Sequence, residues 1–427
     1  MSRVLNVWLL GHLVGELALV DGRLNFRYAP TWLASEAARP LSHALPLQGE
    51  AFDDKATRPF FAGLLPEGEP RKGVALALHV SRQNDFGLLY GIGGECAGAV
   101  TLLAPGEQSD TAPTPPSIRW LDDQALLTVL AELPRRPMLA GDEGLRLSLA
   151  GAQDKLPVVC SEGRIGLPLR NTPSSHILKP AIAAVEGSVF NEGFCLALAA
   201  RLKLPTAKAA IRQVAGTSYL LVERYDRQRL ADGTLQRLHQ EDFCQALGVV
   251  PEHKYQNEGG PDLAQCFALL RQATRPSAPQ VLRLLDGVVF NALIGNHDAH
   301  GKNFSLLYTP GGTVLAPLYD ALSTAVYPHL TEKMAMKIGS RYKFSELQAR
   351  HWEQFAQGAQ LSPAQVKKRI LDLAQQLPDQ AQALHIEFTA AGHGHPVLAE
   401  ITALIERRCR LTVERLRNPG PQVPGPS

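Results

Sequence analysis

The sequence predicts an α+β protein of two lobes, the first strand-rich and the second helical, preceded by a smaller α+β unit. Three observations predict it. Short alternating apolar runs bounded by glycine and polar turns dominate the chain before Asp242, and apolar residues at helical spacing dominate after it. The stretch APGEQSDTAPTPPS, Ala104 to Ser117, is rich in proline and polar residues and reads as the linker behind the smaller unit.

In chain order, VLNVWLL, GELALV, RLNFRYA and GAVTLL read as strands of the small unit, with a helical patch around FFAGLLPEG. After the linker, LDDQALLTVLAEL reads as a helix. From Gly144 onward LRLSLA, KLPVVC, IGLPL and SHILKP read as strands joined by the tight turns GAQD and SEGR. The segment VFNEGFCLALAARLKL carries Phe190, Phe194, Ala197, Leu198 and Leu202 at helical spacing, and KAAIRQV and SYLLVERYD close the lobe as strands. Helices follow in DFCQALG, DLAQCFALLRQA, APQVLRLLDGVVFNALIG, HWEQFAQ, AQVKKRILDLAQQL and LAEITALIERRCRLTVERL, and the tail NPGPQVPGPS has a disordered composition. The expected divisions are 1–103 (small α+β unit), 104–140 (linker and helix), 141–240 (strand-rich lobe), 241–417 (helical lobe) and 418–427 (tail).

A chain of 427 residues has room for two or three domains, and its 45% apolar and 20% charged content is that of a globular protein. A net charge of only +2 demands neither nucleic acid nor an anionic membrane as direct partner. The six cysteines are scattered without CxxC spacing, which suggests a reducing cytosol. Asn6, His12 and Glu16 interrupt the apolar N-terminus, so alternating strands fit it better than a signal peptide. No apolar run approaches the roughly 20 residues that cross a bilayer, and the expectation is a cytoplasmic protein with no membrane partner.

The chemistry concentrates in LIGNHDAHGKNFSLLY, residues 293–308. One reading makes His297, Asp298 and His300 metal ligands, but the histidines sit three apart on a loop and no partner motif stands out elsewhere. A Walker loop is excluded because five residues separate Gly295 from Gly301, Asn303 replaces the Ser or Thr, and a helix precedes the motif. Phosphoryl transfer needs a carboxylate at the substrate hydroxyl, an amide oxygen and a carboxylate on Mg²⁺, and a lysine on the phosphates. Asp298 and Asn303 have the D-x-x-x-x-N spacing of protein kinases, and the hairpin FSLLYTPGGTVLAPLYD then delivers Asp320. Lys179 ends the strand SHILK and Glu192 begins the next helix, which is the order in which kinases pair a lysine with a glutamate. The turn GAQD, followed by Lys155, is suited to cover phosphates with backbone N–H groups. His297 reads as a hydrogen-bonding loop residue, and Lys367, Lys368 and Arg369 as a solvated helix face.

These residues resemble the HipA serine/threonine kinases, toxins of bacterial toxin–antitoxin pairs. The matching stretches are RLSLAGAQDKLPVV, SSHILKP, NEGFCLALAARLKL, LLVERYDR, HQEDFCQALG, the GGP at 259–261, LIGNHDAHGKNFSLLY and LAPLYDALSTA. In the N-terminal part they are FRYAPTWLAS, ARPLSHALPL, FFAGLLPE and GAVTLL, so the resemblance spans the chain up to its tail.

The resemblance implies a two-lobed protein-kinase-like fold using ATP and Mg²⁺. Asp298 resembles the catalytic base, with Asn303 and Asp320 as the metal ligands. Ala150, Gly151, Ala152, Gln153, Asp154 and Lys155 resemble the ATP-phosphate loop, and Lys179 the lysine on the phosphates. Glu223, Arg224 and Tyr225 resemble the interlobe segment whose backbone contacts adenine, and His300, Gly301, Lys302, Asn303 and Tyr319 further nucleotide contacts. Ser148 matches a serine whose autophosphorylation inactivates family members; two residues before the phosphate loop, its phosphate would repel those of ATP. The implied partners are a small helix-turn-helix antitoxin of the HipB kind, which brings operator DNA, and a protein substrate such as an aminoacyl-tRNA synthetase. The chain departs from the family at His297 and Ala299, where Thr or Asp and Gly are common. The alternative function is a catalytically silent scaffold or corepressor, whose mark would be loss of Asp298, Asn303, Asp320 or Lys179; all four are present.

Overall fold

Alternation builds the first sheet. In β1 (Val4–Leu9), Leu5, Val7 and Leu9 are buried and the residues between them are half-buried, the period of a strand with one face on a core. It pairs antiparallel with β2 (His12–Val20), which pairs with β3 (Arg23–Tyr28), and on its other side with β4 (Val100–Leu103), in the order β3-β2-β1-β4. The structure, a computed structural model, describes residues 4–107, 116–170 and 172–418. Most of the proline-rich stretch and nearly all of the tail fall outside them.

The chain forms two compact units: one from its start to Ile182 with Ala210–Glu252 and Ser305–Ala316, the other from Ala183–Ala209, His253–Phe304 and Pro317 onward. In the first unit this sheet shares one core with α1 (Pro30–Leu33), α2 (Asp54–Ala62), α3 (Gly68–Ala77) and α4 (Asp85–Ile92), which includes Phe26, Tyr28, Phe60 and Phe61. Asp53 starts α2 by accepting the Ala56 N–H, and Asn84 starts α4 by accepting that of Gly87. Glycines at 68, 73, 87 and 91 and little amphipathic contrast hide α3 and α4 in the sequence.

A second sheet joins β5 (Ile118–Leu121), β6 (Leu156–Ser161), β7 (Arg164–Pro168), β8 (His176–Pro180), β9 (Ala209–Val214) and β10 (Thr217–Glu223), in the order β5-β7-β6-β8-β10-β9. Helix α5 (Asp123–Glu132), capped by Asp122, covers a core containing Leu156, Val158, Leu178 and Tyr219. The expected strand LRLSLA does not enter this sheet. Leu145, Leu147 and Leu149 do alternate into the core, but the backbone forms isolated bridges, Leu147 with Glu95 and, just past the segment, Gly151 with Pro66. Loops of the small unit supply its partners, which side-chain alternation cannot reveal.

A short ribbon of β11 (Arg227–Arg229) and β12 (Leu235–Arg237) leads into β13 (His239–Asp242), which pairs with the hairpin β14 (Ser305–Thr309) and β15 (Gly312–Leu315). That pairing draws the hairpin after the 296–303 loop into the first unit.

The second unit contains α6 (Ser188–Arg201) and, after the one-turn α7 (Phe243–Ala246) of the first unit, α8 (Leu263–Ala273), α9 (Ser277–Ile294), α10 (Ala349–Gly358), α11 (Pro363–Ala390) and α12 (Pro396–Arg417). Helix α9 buries Val281, Leu284, Leu285 and Val288, and both α11 and α12 pack against it and each other. A small hairpin of β16 (Lys333–Ile338) and β17 (Arg341–Lys343) lies beside α8 and α10. Helix α11 runs past the apolar pattern of AQVKKRILDLAQQL, because Ala381 and Leu384 continue its buried stripe beyond Pro378. Among the described residues no helix is long and apolar enough to cross a membrane.

Candidate active site

Helix α9 ends where its sequence says it should. Gly295 adopts φ 79° and ψ 31°, the left-handed cap conformation, and the N–H groups of Gly295 and Asn296 both reach the Asn291 carbonyl. A Cβ on Gly295 would stand 2.7 Å from Ala325 Cβ, so glycine is needed on two counts.

From there Asn296 cross-braces the loop. Its amide nitrogen donates to Asn291 Oδ1 at 3.0 Å and to the Asp320 carbonyl at 3.3 Å, and its Oδ1 accepts the Asp298 N–H at 3.1 Å. The Asn303 amide donates to the Asp298 carbonyl at 3.0 Å, closing the loop on itself. The Asp298 carboxylate points outward and accepts the Tyr255 hydroxyl at 2.6 Å. Asp320 has φ 50°, a left-handed backbone uncommon for a residue with a side chain and frequent where structure serves function. Tyr319 donates its hydroxyl to the Lys302 carbonyl at 2.7 Å. The second unit therefore gathers Asp298, His300, Gly301, Lys302, Asn303, Tyr319 and Asp320.

Gly301, Lys302 and Asn303 form a buried 3-10 turn. His300 is buried beside them and stacks edge-on against Tyr255; its Nδ1 has no hydrogen-bond partner among the described residues. Burial first, then the charges of Lys254 and Lys302, push its imidazole well below the ordinary histidine value. His297 is also buried, and both its ring nitrogens are engaged, Nδ1 with the Thr331 carbonyl at 2.9 Å and Nε2 with Arg408 at 2.9 Å.

The first unit carries the other expected residues. Gly151 adopts φ 106°, and its carbonyl accepts the Glu67 N–H at 3.0 Å, while Ala150 offers its carbonyl to Lys155 Nζ at 2.8 Å. Leu156 faces Leu178 across β6 and β8, which puts the buried Lys155 and Lys179 at the same end of that ladder. Half-burial raises the Asp154 carboxyl above the ordinary aspartate value, opposed by Lys155. Ala152 and Gln153 complete the turn. Ser148 is fully buried, with its hydroxyl on the Leu64 carbonyl at 2.8 Å and its N–H on the Glu95 carbonyl at 2.9 Å. Glu192 is buried on α6 in the second unit.

At the end of β10, Glu223 pairs in register with His176, and the Arg224 N–H donates to the Ser175 carbonyl at 3.0 Å. The Arg224 side chain turns inward. Its guanidinium meets Asp226 at 2.7 Å and Glu95 at 3.3 Å, and Glu95 also holds Arg227 and Arg237. Burial alone would raise the Glu95 carboxyl, but Arg227, Arg237 and Arg224 hold it far below its ordinary value. The Tyr225 hydroxyl donates to Gln240.

Sequence reasoning missed Asn296, Tyr255, Thr324 and Arg408. Asn296 and Tyr255 had a signal, one as a neighbour of Asp298 and the other in KYQNEGGP, just before the GGP. Arg408, more than a hundred residues along the chain from His297, had none.

Known proteins resemble this chain over most of its length. The HipA N-terminal domain family matches residues 5–103, and the HipA-like C-terminal domain family matches residues 147–381. The protein Y4mE of Sinorhizobium fredii is 48% identical over 379 residues, covering 87% of this chain and 89% of its own. The serine/threonine-protein kinase toxin HipA of Shewanella oneidensis is 28% identical over 380 residues, covering 86% of each. A solved Shewanella oneidensis complex of HipA, HipB and operator DNA contains a chain that superposes with a TM-score of 0.83 at 25% identity, over 97% of this chain and 98% of that one. The two-lobed α+β architecture is thus that of HipA, and this chain belongs to the HipA family.

Proposed function

We propose that this chain is an ATP- and Mg²⁺-dependent serine/threonine protein kinase of the HipA type, acting within a toxin–antitoxin pair. The observation that carries this reading is the cross-braced loop, in which Asn303 holds the Asp298 carbonyl and Asn296 holds that of Asp320. Three groups that phosphoryl transfer requires are thereby set on one rigid support.

In this reading Asp298 takes the proton of a serine or threonine hydroxyl. That oxygen forms a bond to the γ-phosphorus of ATP as the bond from phosphorus to the bridging oxygen breaks and ADP leaves. The donor set fits magnesium: the Asn303 amide nitrogen is already used, leaving Oδ1 as its ligand atom, and Asp320 adds a carboxylate, both hard oxygen donors. When bound, Mg²⁺ neutralises charge on the β- and γ-phosphate oxygens. Lys155 and Lys179 supply positive charge for the phosphates, and the turn Ala150–Asp154 supplies backbone N–H groups. The buried His300 Nδ1, without a hydrogen-bond partner among the described residues, offers the nucleotide a polar contact. The Glu223–Tyr225 backbone serves adenine, while the Arg224 side chain serves the fold.

The reading extends to partners. Following the Shewanella complex, the chain binds a HipB-like helix-turn-helix antitoxin and reaches DNA mainly through it. Its substrate is a translation enzyme such as an aminoacyl-tRNA synthetase, met in the cytoplasm. Autophosphorylation of Ser148 and antitoxin binding both silence it.

Labelled ATP added to cell lysate with the purified protein tests this. A labelled protein band is expected with wild type, reduced at least about 100-fold with Asp298→Asn, the scale for losing a positioned base. Label on a small molecule would instead assign a metabolite kinase, and no transfer would assign a scaffold.

A further inference from the structure

His297 stands immediately before Asp298, and all four of its polar groups are engaged. Its N–H donates to Thr324 Oγ1 at 2.8 Å, and its carbonyl accepts the Ala335 N–H at 2.8 Å. Its ring touches the Thr331 carbonyl through Nδ1 and Arg408 through Nε2. A guanidinium only donates, so Nε2 must be the acceptor, and the ring proton sits on Nδ1, pointed at Thr331. One tautomer satisfies both contacts.

Arg408 is equally committed. It lies on α12, donates to the Ala292 carbonyl at 2.8 Å, and lays its guanidinium 4.2 Å from the Phe344 ring centre. One side chain thus bridges the last turn of α9 and the residue before Asp298. Burial first, with the Arg408 charge added and Glu332 opposing, keeps the imidazole below its ordinary value, the neutral form the contact needs. Neither threonine nor aspartate would provide this pairing: threonine lacks the reach, and aspartate has no proton for the Thr331 carbonyl.

We propose that His297 and Arg408 are a positioning pair through which α12, beyond the residues matched by the C-terminal family, fixes the loop backbone and so aims Asp298. This role rests on the kinase reading. The pair's contacts run to Thr324, Thr331, Ala335, Ala292 and Phe344 rather than to the proposed phosphate- or metal-binding residues, so its loss should lower turnover and leave nucleotide affinity alone.

The test uses full-length wild type, Arg408→Ala and Arg408→Lys, reading kcat and KM for ATP together with amide hydrogen exchange across the loop from Asn296 to His300. We expect kcat to fall about 10- to 100-fold in Arg408→Ala, the range that a misplacement near 1 Å produces, with KM for ATP unchanged. Loop exchange should quicken in parallel, and lysine, which keeps one donor, should recover part of both. If wild type transfers phosphate and the variants match its kcat, the pair has no positioning role and the kinase reading stands. If wild type transfers nothing, the kinase reading fails, and exchange alone judges the pair: quicker exchange in Arg408→Ala supports it, and unchanged exchange overturns it. Should Arg408→Ala not fold, Arg408→Lys carries the same two readouts.

Discussion

At the scale of single residues, Glu241 is the most exacting case. It is buried on β13 and receives three neutral donors: the hydroxyls of Ser42 and Tyr308 and the His43 N–H. Burial outweighs those hydrogen bonds and pushes its carboxyl up to about 7. Because the folded value exceeds the unfolded one, the native state binds the extra proton. Its contribution is full below the unfolded value near 4.5 and is lost as pH rises through about 7. His239, lowered to about 4 by burial, works the other way and loses stability as pH falls below about 6.5. Comparing wild type with Glu241→Gln cancels that background. Thermal melts should show the variant gaining on wild type between about pH 5 and pH 8, by at most about 3 kcal/mol at the upper end. Parallel melting curves for the two across that range would mean the carboxyl is not perturbed.

At the scale of elements, the loop after α9 depends on how the helix stops. Gly295→Ala should destabilise the protein by at least about 1 kcal/mol, since alanine is strained at positive φ and its methyl meets Ala325. A urea midpoint equal to that of wild type would remove that argument. This stop was readable in advance, because a helical apolar stripe followed by glycine is a local signal. So were β1 to β4, β6 to β10 and most helices, which alternate at period two or repeat at helical spacing. What stayed hidden depends on distant partners. Leu145, Leu147 and Leu149 alternate like a strand, yet their backbone lies against loops at 66 and 95. Asp298, Asn303 and Asp320 stood out by spacing. The residues that brace them did not: Asn296 looks like a turn former, Tyr255 lies in another segment, and Arg408 is one of several arginines on a basic helix.

At the scale of the molecule, the first unit is joined through a buried charge cluster rather than through apolar packing alone. Glu95, from the loop before β4, receives Ser174 before β8, Arg224 after β10, and Arg227 and Arg237 on the β11–β12 ribbon. Asp226 meets Arg224 and accepts the Gly98 N–H at 2.6 Å. Two carboxylates thus face three guanidiniums, and Glu95 touches all three. The small N-terminal sheet and the six-stranded sheet each have their own core, and this cluster is one of the links between them. Replacing a buried ion pair with apolar groups is often harmless, but removing one partner strands the others in low dielectric. Glu95→Gln keeps the shape and removes the charge, so that Asp226, which meets Arg224 and Arg227, is the carboxylate that remains in the cluster. It should cost about 3 to 5 kcal/mol in urea unfolding and weaken ATP binding, since Arg224 sits in the segment proposed to serve adenine. Loss of stability with ATP affinity intact would confine the cluster to folding. An unchanged unfolding midpoint would show that the arginines find other partners, and that the N-terminal sheet is not coupled to the second sheet through Glu95.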